Sequence, residues 1–181
     1  PPNFNMAADP AVNYGAIGYV IGHEIGHAFD DKGRAFDPYG KLNDWWSAAD
    51  AEHFEQAAAK LVEQYNAFRP LPDMSINGKL TLGENIADLT GITIAYRAYR
   101  ASLGGKEAPV IDGLSGDQRF FIGFAQANRA SMREEMLRSM LVSDPHSPAR
   151  YRVLGVLRNF TPFYAAFGVK EGDGMYLPPD A

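Results

Sequence analysis

The sequence predicts a mainly α-helical single domain, and three observations carry that prediction. Apolar residues recur at helical spacing through a series of amphipathic stretches. Pro and Gly fall between those stretches as punctuation, with no internal repeat and no low-complexity tract. At 181 residues, 46% hydrophobic and 12% aromatic, the chain is long and apolar enough to pack one core.

A first helix is predicted from Asn13 to about Asp31, where Gly15, Gly18, Gly22 and Gly26 form one narrow strip. Each glycine weakens a helix by about 1 kcal/mol relative to Ala, so the strip implies close packing and a buried helix. A second helix is predicted from Asn43 or Asp44, good N-caps ahead of Trp45 and Trp46, through Ala57 and Leu61 to Tyr65. Adjacent on a helix, the two tryptophans would face about 100° apart and could not enter one groove. Residues 70–83 are turn-rich, with Asn77-Gly78 as a hairpin turn joining two short extended pieces. A third helix runs from Thr81 or Leu82 to about Ser102. Ser115-Gly116-Asp117-Gln118 reads as a capping box that opens a fourth, with Phe120, Phe121 and Phe124 as its core stripe. A fifth spans Met132 to Val142, closed by Asp144-Pro145, and a short last one spans Thr161 to Phe167.

The charge balance, 17 Lys and Arg against 22 Asp and Glu, leaves −5. With no basic run there is no electrostatic footprint for nucleic acid or an anionic membrane surface. The best apolar run, Ala16 to Gly22, stops at His23 and Glu24, far short of the roughly 18 residues that span a bilayer. The absence of cysteine removes disulfides, thiolate metal sites and cysteine nucleophiles, so any metal must be held by His, Asp or Glu. Pro1-Pro2-Asn3-Phe4 has neither a basic stretch nor an initiator Met and reads as a cut or processed end.

The chemistry begins with His23-Glu24-Ile25-Gly26-His27. Histidines at i and i+4 stand one above the other, about 5 to 6 Å apart at Cβ, so both imidazoles reach one zinc ion. Glu24, about 100° around the same helix, is placed beside the metal to take a proton from metal-bound water. Glu84-Asn85-Ile86-Ala87-Asp88 supplies a third ligand in Glu84, leaving the fourth tetrahedral position open. Asp88, at i+4 from Glu84, faces the same way and can accept the second ring N–H of a ligating histidine. A competing use exists, because Thr81-Leu82-Gly83-Glu84 also fits a capping box in which Glu84 folds back on its own helix start. One carboxylate oxygen cannot serve both. Asp30, at i+3 from His27, is placed to accept the ring N–H that the metal does not use, Asp31 reads as a solvated helix-end charge, and His53 has no partner at ligand spacing. His146 is held between Pro145 and Pro148 in a stiff loop that suits a positioned donor.

The motifs around Asn13-Tyr14-Gly15, His23-Glu24-Ile25-Gly26-His27-Ala28-Phe29-Asp30-Asp31, Trp45-Trp46 and Gly83-Glu84-Asn85-Ile86-Ala87-Asp88 resemble the C-terminal catalytic part of the neprilysin family of zinc endopeptidases. Gly123-Phe124-Ala125-Gln126 is similar to that family's Asn-Phe-Ala-Gln. Asp144-Pro145-His146-Ser147-Pro148-Ala149-Arg150-Tyr151-Arg152 resembles its Asp-x-His-Ser-Pro-x-x-x-Arg. The likeness covers nearly the whole chain and implies a thermolysin-like zincin subdomain of helices with a few short strands or a hairpin, residues 1–181 forming one catalytic domain of a larger metallopeptidase. It implies one Zn2+ per chain held by His23, His27 and Glu84, with Glu24 as general base and then proton donor. Asp88 would orient His23, His146 would bind the oxyanion with Asp144 holding it, and Arg152 would bind a substrate backbone carbonyl.

Peptides cut on the amino side of hydrophobic residues are the implied substrates. Ala127 and Asn128 match positions where mammalian members carry a Val-Trp pair in the pocket after the cut, so a roomier, more polar pocket is expected here. The family's large N-terminal region and its substrate-holding edge strand have no counterpart in these residues, nor does its Arg-x-Trp tail after Met175-Tyr176-Leu177-Pro178-Pro179-Asp180-Ala181. The expected partner surface therefore lies in sequence outside this chain or in a separate chain, facing the glycine strip and the aromatics Phe4, Tyr14, Phe160 and Phe163. A cysteine-free chain suits a bacterial member in a periplasmic or secreted setting. The reading from another class is a zinc-binding pseudopeptidase that serves as a binding domain.

Overall fold

The structure, a computed structural model, describes residues 3–178; Pro1-Pro2 and the tail from 179 onward lie outside the described residues. The first helical segment starts a turn earlier than Asn13 and is compound. Helix α1, Pro10–Asn13, runs into a π turn, Tyr14–Gly18, then α2, Tyr19–Gly26, then a 3-10 turn, His27–Phe29. Pro10 suits the first helical position because its missing N–H has no partner there anyway. The segment ends at Asp30, whose backbone is extended.

The π turn divides the glycine strip between two neighbours. A Cβ on Gly15 would meet Phe120 O at 2.1 Å, on the fourth predicted helix, whereas one on Gly22 would meet Gly91 O at 2.8 Å, on the third. The widened turn shifts the residue register of the helix, so glycines that share one face of an ideal helix here meet two partners. The opposite face of α2 is open, with Ile21 55% and Ile25 52% exposed, so the helix is half-buried rather than buried.

Helix α3, Ala48–Asn66, is capped by Ser47, whose Oγ accepts the Asp50 N–H at 3.1 Å. The expected caps Asn43 and Asp44 precede a non-helical stretch instead. Trp45 there donates Nε1–H to Phe36 O at 2.9 Å, while Trp46 packs edge-on against Phe54 beneath the Arg34 guanidinium. Freed from helical geometry, both tryptophans line one cavity with Phe29 and Phe54, against the expectation that they could not.

No hairpin forms at Asn77-Gly78. Asn77 Oδ1 accepts the Leu80 N–H and its carbonyl accepts the Thr81 N–H, feeding the chain directly into α4, Leu82–Ser102. Gly78 lies against Val62 O on α3, close enough that a Cβ there would come within 2.3 Å of it. Among the described residues the extended pairings are isolated bridges, Phe36 with Leu42, Leu71 with Met74 and Ile111 with Leu114.

Helix α5, Gly116–Ala127, opens with the expected reciprocal capping box of Ser115 and Gln118. Helix α6 is Glu134–Ser143 and α8 is Thr161–Phe167, closed by Gly168 at φ 67°. Between them stands α7, Ala149–Arg158, a helix beyond those the sequence predicts. Its signal was present, since Val153, Val156 and Leu157 follow Pro148 at i, i+3 and i+4. Phe120, Phe121 and Phe124 are buried at the centre of the main core with Tyr19, Ile92 and Tyr99. Tyr14, Phe160 and Phe163 pack onto this core rather than forming a surplus aromatic surface. Leu61, Tyr65, Ile76 and Leu141 build a smaller second core, and Leu89 of α4 touches both.

Candidate metal centre and catalytic site

The site forms where α2 crosses α4 at its closest approach. A Cβ on Gly91 would lie 2.8 Å from both His23 N and Tyr19 O, so only glycine lets the helices meet this closely. His23 ends up buried beside the first turn of α4, and His27 follows just beyond the end of α2. Their rings stand nearly perpendicular with Nε2 atoms 3.1 Å apart. Glu84 brings Oε2 to 3.2 Å from His23 Nε2 and Oε1 to 3.7 Å from His27 Nε2. All three residues offer donor atoms within 4.8 Å of one another.

The capping alternative for Glu84 is not realised. Thr81 makes no side-chain cap; its hydroxyl donates to Asn77 O at 3.2 Å and accepts from Asn85 Nδ2 at 2.9 Å. Glu84 is left to face the imidazoles.

Hydrogen bonding behind the rings decides what the front can hold. His23 Nδ1 lies 2.7 Å from Asp88 Oδ1, and His27 Nδ1 lies 2.7 Å from Asp30 Oδ2. With each Nδ1–H donated to a carboxylate, both Nε2 atoms carry lone pairs, and these converge with the buried Glu84 Oε2. Three acceptors facing one another call for a cation. Without a metal a proton takes its place: burial pulls the His23 imidazole down, but hydrogen bonds to Asp88 and Glu84 outweigh it and push it up to about 9. Two imidazoles and one carboxylate are the donor set of catalytic zinc sites, so the residues fit the metal the sequence implies.

Asp88 is fully buried and accepts from three side chains. Arg152 donates Nε–H to Oδ2 at 2.8 Å and a terminal N–H to Oδ1, and the Tyr19 hydroxyl also donates to Oδ1. Burial would raise the Asp88 carboxyl, but Arg152 and His23 hold it below the usual carboxylate range. Burial and the Asp88 charge push the Tyr19 hydroxyl far up, so it remains a donor. Arg152 therefore has Nε and one terminal nitrogen engaged by Asp88, while its other terminal nitrogen takes part in none of the described hydrogen bonds. Asp30 is fixed in turn by the backbone N–H groups of Lys32 at 2.8 Å and Gly33 at 2.6 Å. Asp31 is not the solvated charge expected. Its Oδ1 is enclosed beside Gly83 without a hydrogen bond, and burial, then Asp30, raises its carboxyl.

His146 closes the site from the α6–α7 loop. Asp144 Oδ1 accepts its backbone N–H at 2.8 Å and lies 2.9 Å from its Nδ1, while Nε2 lies 3.2 Å from Glu84 Oε2. The neighbouring Ser147, fully buried, donates to Asn85 Oδ1 at 2.8 Å and pins the loop to the first turn of α4. Glu24 is exposed on the open side of α2.

The structure does not bring Ala127 and Asn128 to this cluster through any described hydrogen bond. Ala127 lines a small cavity of about 100 Å3 with Phe4, Val12 and Gly123, and Asn128 Nδ2 donates to Phe124 O at the end of α5. One N–H of that amide is thus engaged by the helix end. His53 is exposed on α3, near Trp45 and Trp46. Sequence reasoning missed Tyr19, Asn85 and Ser147. Tyr19 was findable, one turn before His23 on the same face; Asn85 and Ser147 join only through the fold.

A sequence model of peptidase family M13 matches residues 1–181. Neprilysin-1 of Caenorhabditis elegans is 44% identical over 180 residues, covering 96% of this chain and 24% of that protein. Human endothelin-converting enzyme 1 is 40% identical over 180 residues, 98% of this chain and 23% of its own length. The inhibitor-bound crystal structure of Mycobacterium tuberculosis zinc metalloprotease Zmp1 superposes with a TM-score of 0.97 at 49% identity, over 99% of this chain and 28% of that one. The chain thus spans about a quarter of the length of the curated relatives it matches. Matched along its whole length by the family and at this identity by its relatives, the chain belongs to peptidase family M13.

Proposed function

We propose that this chain is the catalytic unit of a zinc-dependent endopeptidase. The observation that carries the reading is the convergence of His23 Nε2, His27 Nε2 and Glu84 Oε2, with both Nδ1 atoms turned to carboxylates. Bound there, zinc would supply Lewis acidity toward the scissile carbonyl and the attacking water. Glu24, exposed one residue after His23, takes the proton of that water and returns it to the leaving amine. His146, its Nδ1–H held by Asp144, donates to the oxyanion of the tetrahedral intermediate from Nε2 in its doubly protonated form, the Asp144 carboxylate balancing the imidazolium charge. Arg152 holds Asp88 and offers its remaining terminal nitrogen to a substrate carbonyl.

Specificity for a hydrophobic residue just after the cut follows from the family likeness. A methylene in such a pocket is worth about 1 to 3 kcal/mol, so tolerance is broad, and a peptide-library profile demanding acidic residues there would contradict it. The 1–181 unit supplies ligands and base, while the exposed Ile21, Ile25 and Phe29 beside Glu24 leave room for the rest of the cleft to come from sequence outside this chain. A periplasmic or secreted setting belongs to the same reading. No helix among the described residues is long and apolar enough to cross a membrane.

The test is Glu24→Gln in the intact protein. Zinc content stays at one per chain, since all three ligands remain, and peptide turnover falls by about 10^2- to 10^4-fold. Undiminished turnover removes Glu24 as the base. A parent protein that binds zinc but cleaves no peptide is instead the binding domain of the rival reading.

A further inference from the structure

Tyr19 takes no part in the chemistry above, yet its side chain ends inside the site. It lies one turn before His23 on the same face of α2 and is 3% exposed. Its ring packs edge-on against Phe124, centroids 4.7 Å apart, and meets the edge of the His23 ring at 6.0 Å. Its hydroxyl donates to Asp88 Oδ1, the oxygen that receives His23 Nδ1, and accepts from a terminal nitrogen of Arg152 at 3.1 Å.

Packing alone does not require a hydroxyl here, because a phenyl ring would fill the same space against Phe124. A buried phenol must find a hydrogen-bond partner, and this one finds the carboxylate directly behind a metal-facing histidine. The direction of the bond matters. Asp88 belongs to α4 and Arg152 to α7, so the Arg152 fork ties the carboxylate to α7, and its terminal nitrogen reaches α2 at the Tyr19 hydroxyl and lies 3.5 Å from His23 Nδ1. Among the described contacts, Tyr19 is the one tie between Asp88 and α2 other than the His23 contact itself.

We propose that Tyr19 is a positioning residue of the metal centre, its hydroxyl fixing Asp88 Oδ1 so that the carboxylate holds His23 with Nε2 aimed at the metal. The inference rests on the zinc reading above. Partners one shell behind a metal ligand are worth about 10- to 100-fold in metal affinity, and Tyr19 acts one step further out, at the low end of that range.

The experiment is Tyr19→Phe in the intact protein, which removes one oxygen and keeps the ring. Three quantities are read: the zinc dissociation constant by chelator competition, the visible spectrum of the cobalt-substituted protein, and the melting temperature of the metal-free protein. The expected result is zinc bound about tenfold more weakly, with an altered cobalt spectrum, whatever the change in metal-free melting. Zinc affinity within twofold of the parent and an unchanged cobalt spectrum would make the hydroxyl merely structural and overturn the proposal. A parent that takes up no zinc overturns the metal reading together with it, whereas a zinc-loaded parent beside an unaffected variant overturns the role of Tyr19 alone.

Discussion

At the scale of single residues, the metal-facing histidines are only as well placed as the carboxylates behind them. Asp88 is completely enclosed and shared among His23, Tyr19 and Arg152, so its charge matters twice. Asp88→Asn removes the negative charge behind His23, replaces one of two accepting oxygens with an amide donor and leaves the Arg152 guanidinium without its anion. Zinc affinity should fall about 10- to 100-fold. Stability should fall by about 3 to 5 kcal/mol, as when one partner of a buried ion pair is removed. Chelator competition and denaturant titration measure the two losses, and an Asn variant with parental zinc affinity would exclude Asp88 from the centre. Ser147 separates positioning from binding. Ser147→Ala leaves Asn85 Oδ1 buried without its donor, a loss of about 1 to 3 kcal/mol. It frees the loop that carries His146, so turnover should fall while zinc content stays at the parental level. A loss of zinc in that variant would show that the Ser147–Asn85 bond supports the ligands themselves.

At the scale of elements, the site depends on how closely α2 and α4 approach. Gly91→Ala places a methyl group 2.8 Å from His23 N and Tyr19 O, both backbone atoms that cannot swing away. The helices must separate by some tenths of an ångström. The expected result is a loss of about 1 to 3 kcal/mol together with weaker zinc binding, because Glu84 and Asp88 withdraw from the histidines. Ser115→Ala is the matched control. It removes the α5 capping box at a similar loss of about 0.5 to 2 kcal/mol but touches nothing at the metal centre, so zinc affinity should not change. If both variants weakened zinc equally, general destabilisation rather than helix spacing would explain the result.

At the scale of the whole molecule, the three donor residues come from two helices far apart in sequence, so metal binding staples α2 to α4. Zinc at 1,000 times its dissociation constant should add about 4 kcal/mol by mass action, or roughly 10 °C in melting temperature for a chain of this size. Calorimetry with and without a chelator checks this even where peptide turnover is absent. Turnover itself should depend on more than this chain. Comparing 1–181 with the intact protein, cleavage per bound zinc should be far lower for the shorter form, whose α2 leaves Ile21 and Ile25 uncovered beside Glu24. Equal cleavage per zinc would show the cleft to be complete within these residues.

What the sequence determined by itself was whatever neighbours along the chain encode. His23 and His27 share a face because they are four residues apart, Asp30 reaches His27 because it is three further on, and Ser115 and Gln118 cap α5 at capping-box spacing. The helices with strong periodicity fell close to their expected ranges for the same reason. Where local signals competed, the sequence could not choose. Glu84 fits both a cap and a ligand, Asn77-Gly78 carries a hairpin signal that the fold does not use, and Asn43 and Asp44 are good caps that precede no helix. Contacts distant in sequence accompany the first two outcomes: Ser147 joins the Asn77–Thr81–Asn85 chain at the start of α4, and Gly78 packs against Val62 O. The tertiary structure alone decided that Tyr19, Asp88 and Arg152 meet. Positions 19, 88 and 152 are placed by the π turn before α2, by the contact of Gly22 with Gly91 and by α7, a helix beyond those the sequence predicts. A hydrogen-bond network closes to within tenths of an ångström only after those helices have packed, and no periodicity in the chain carries that distance.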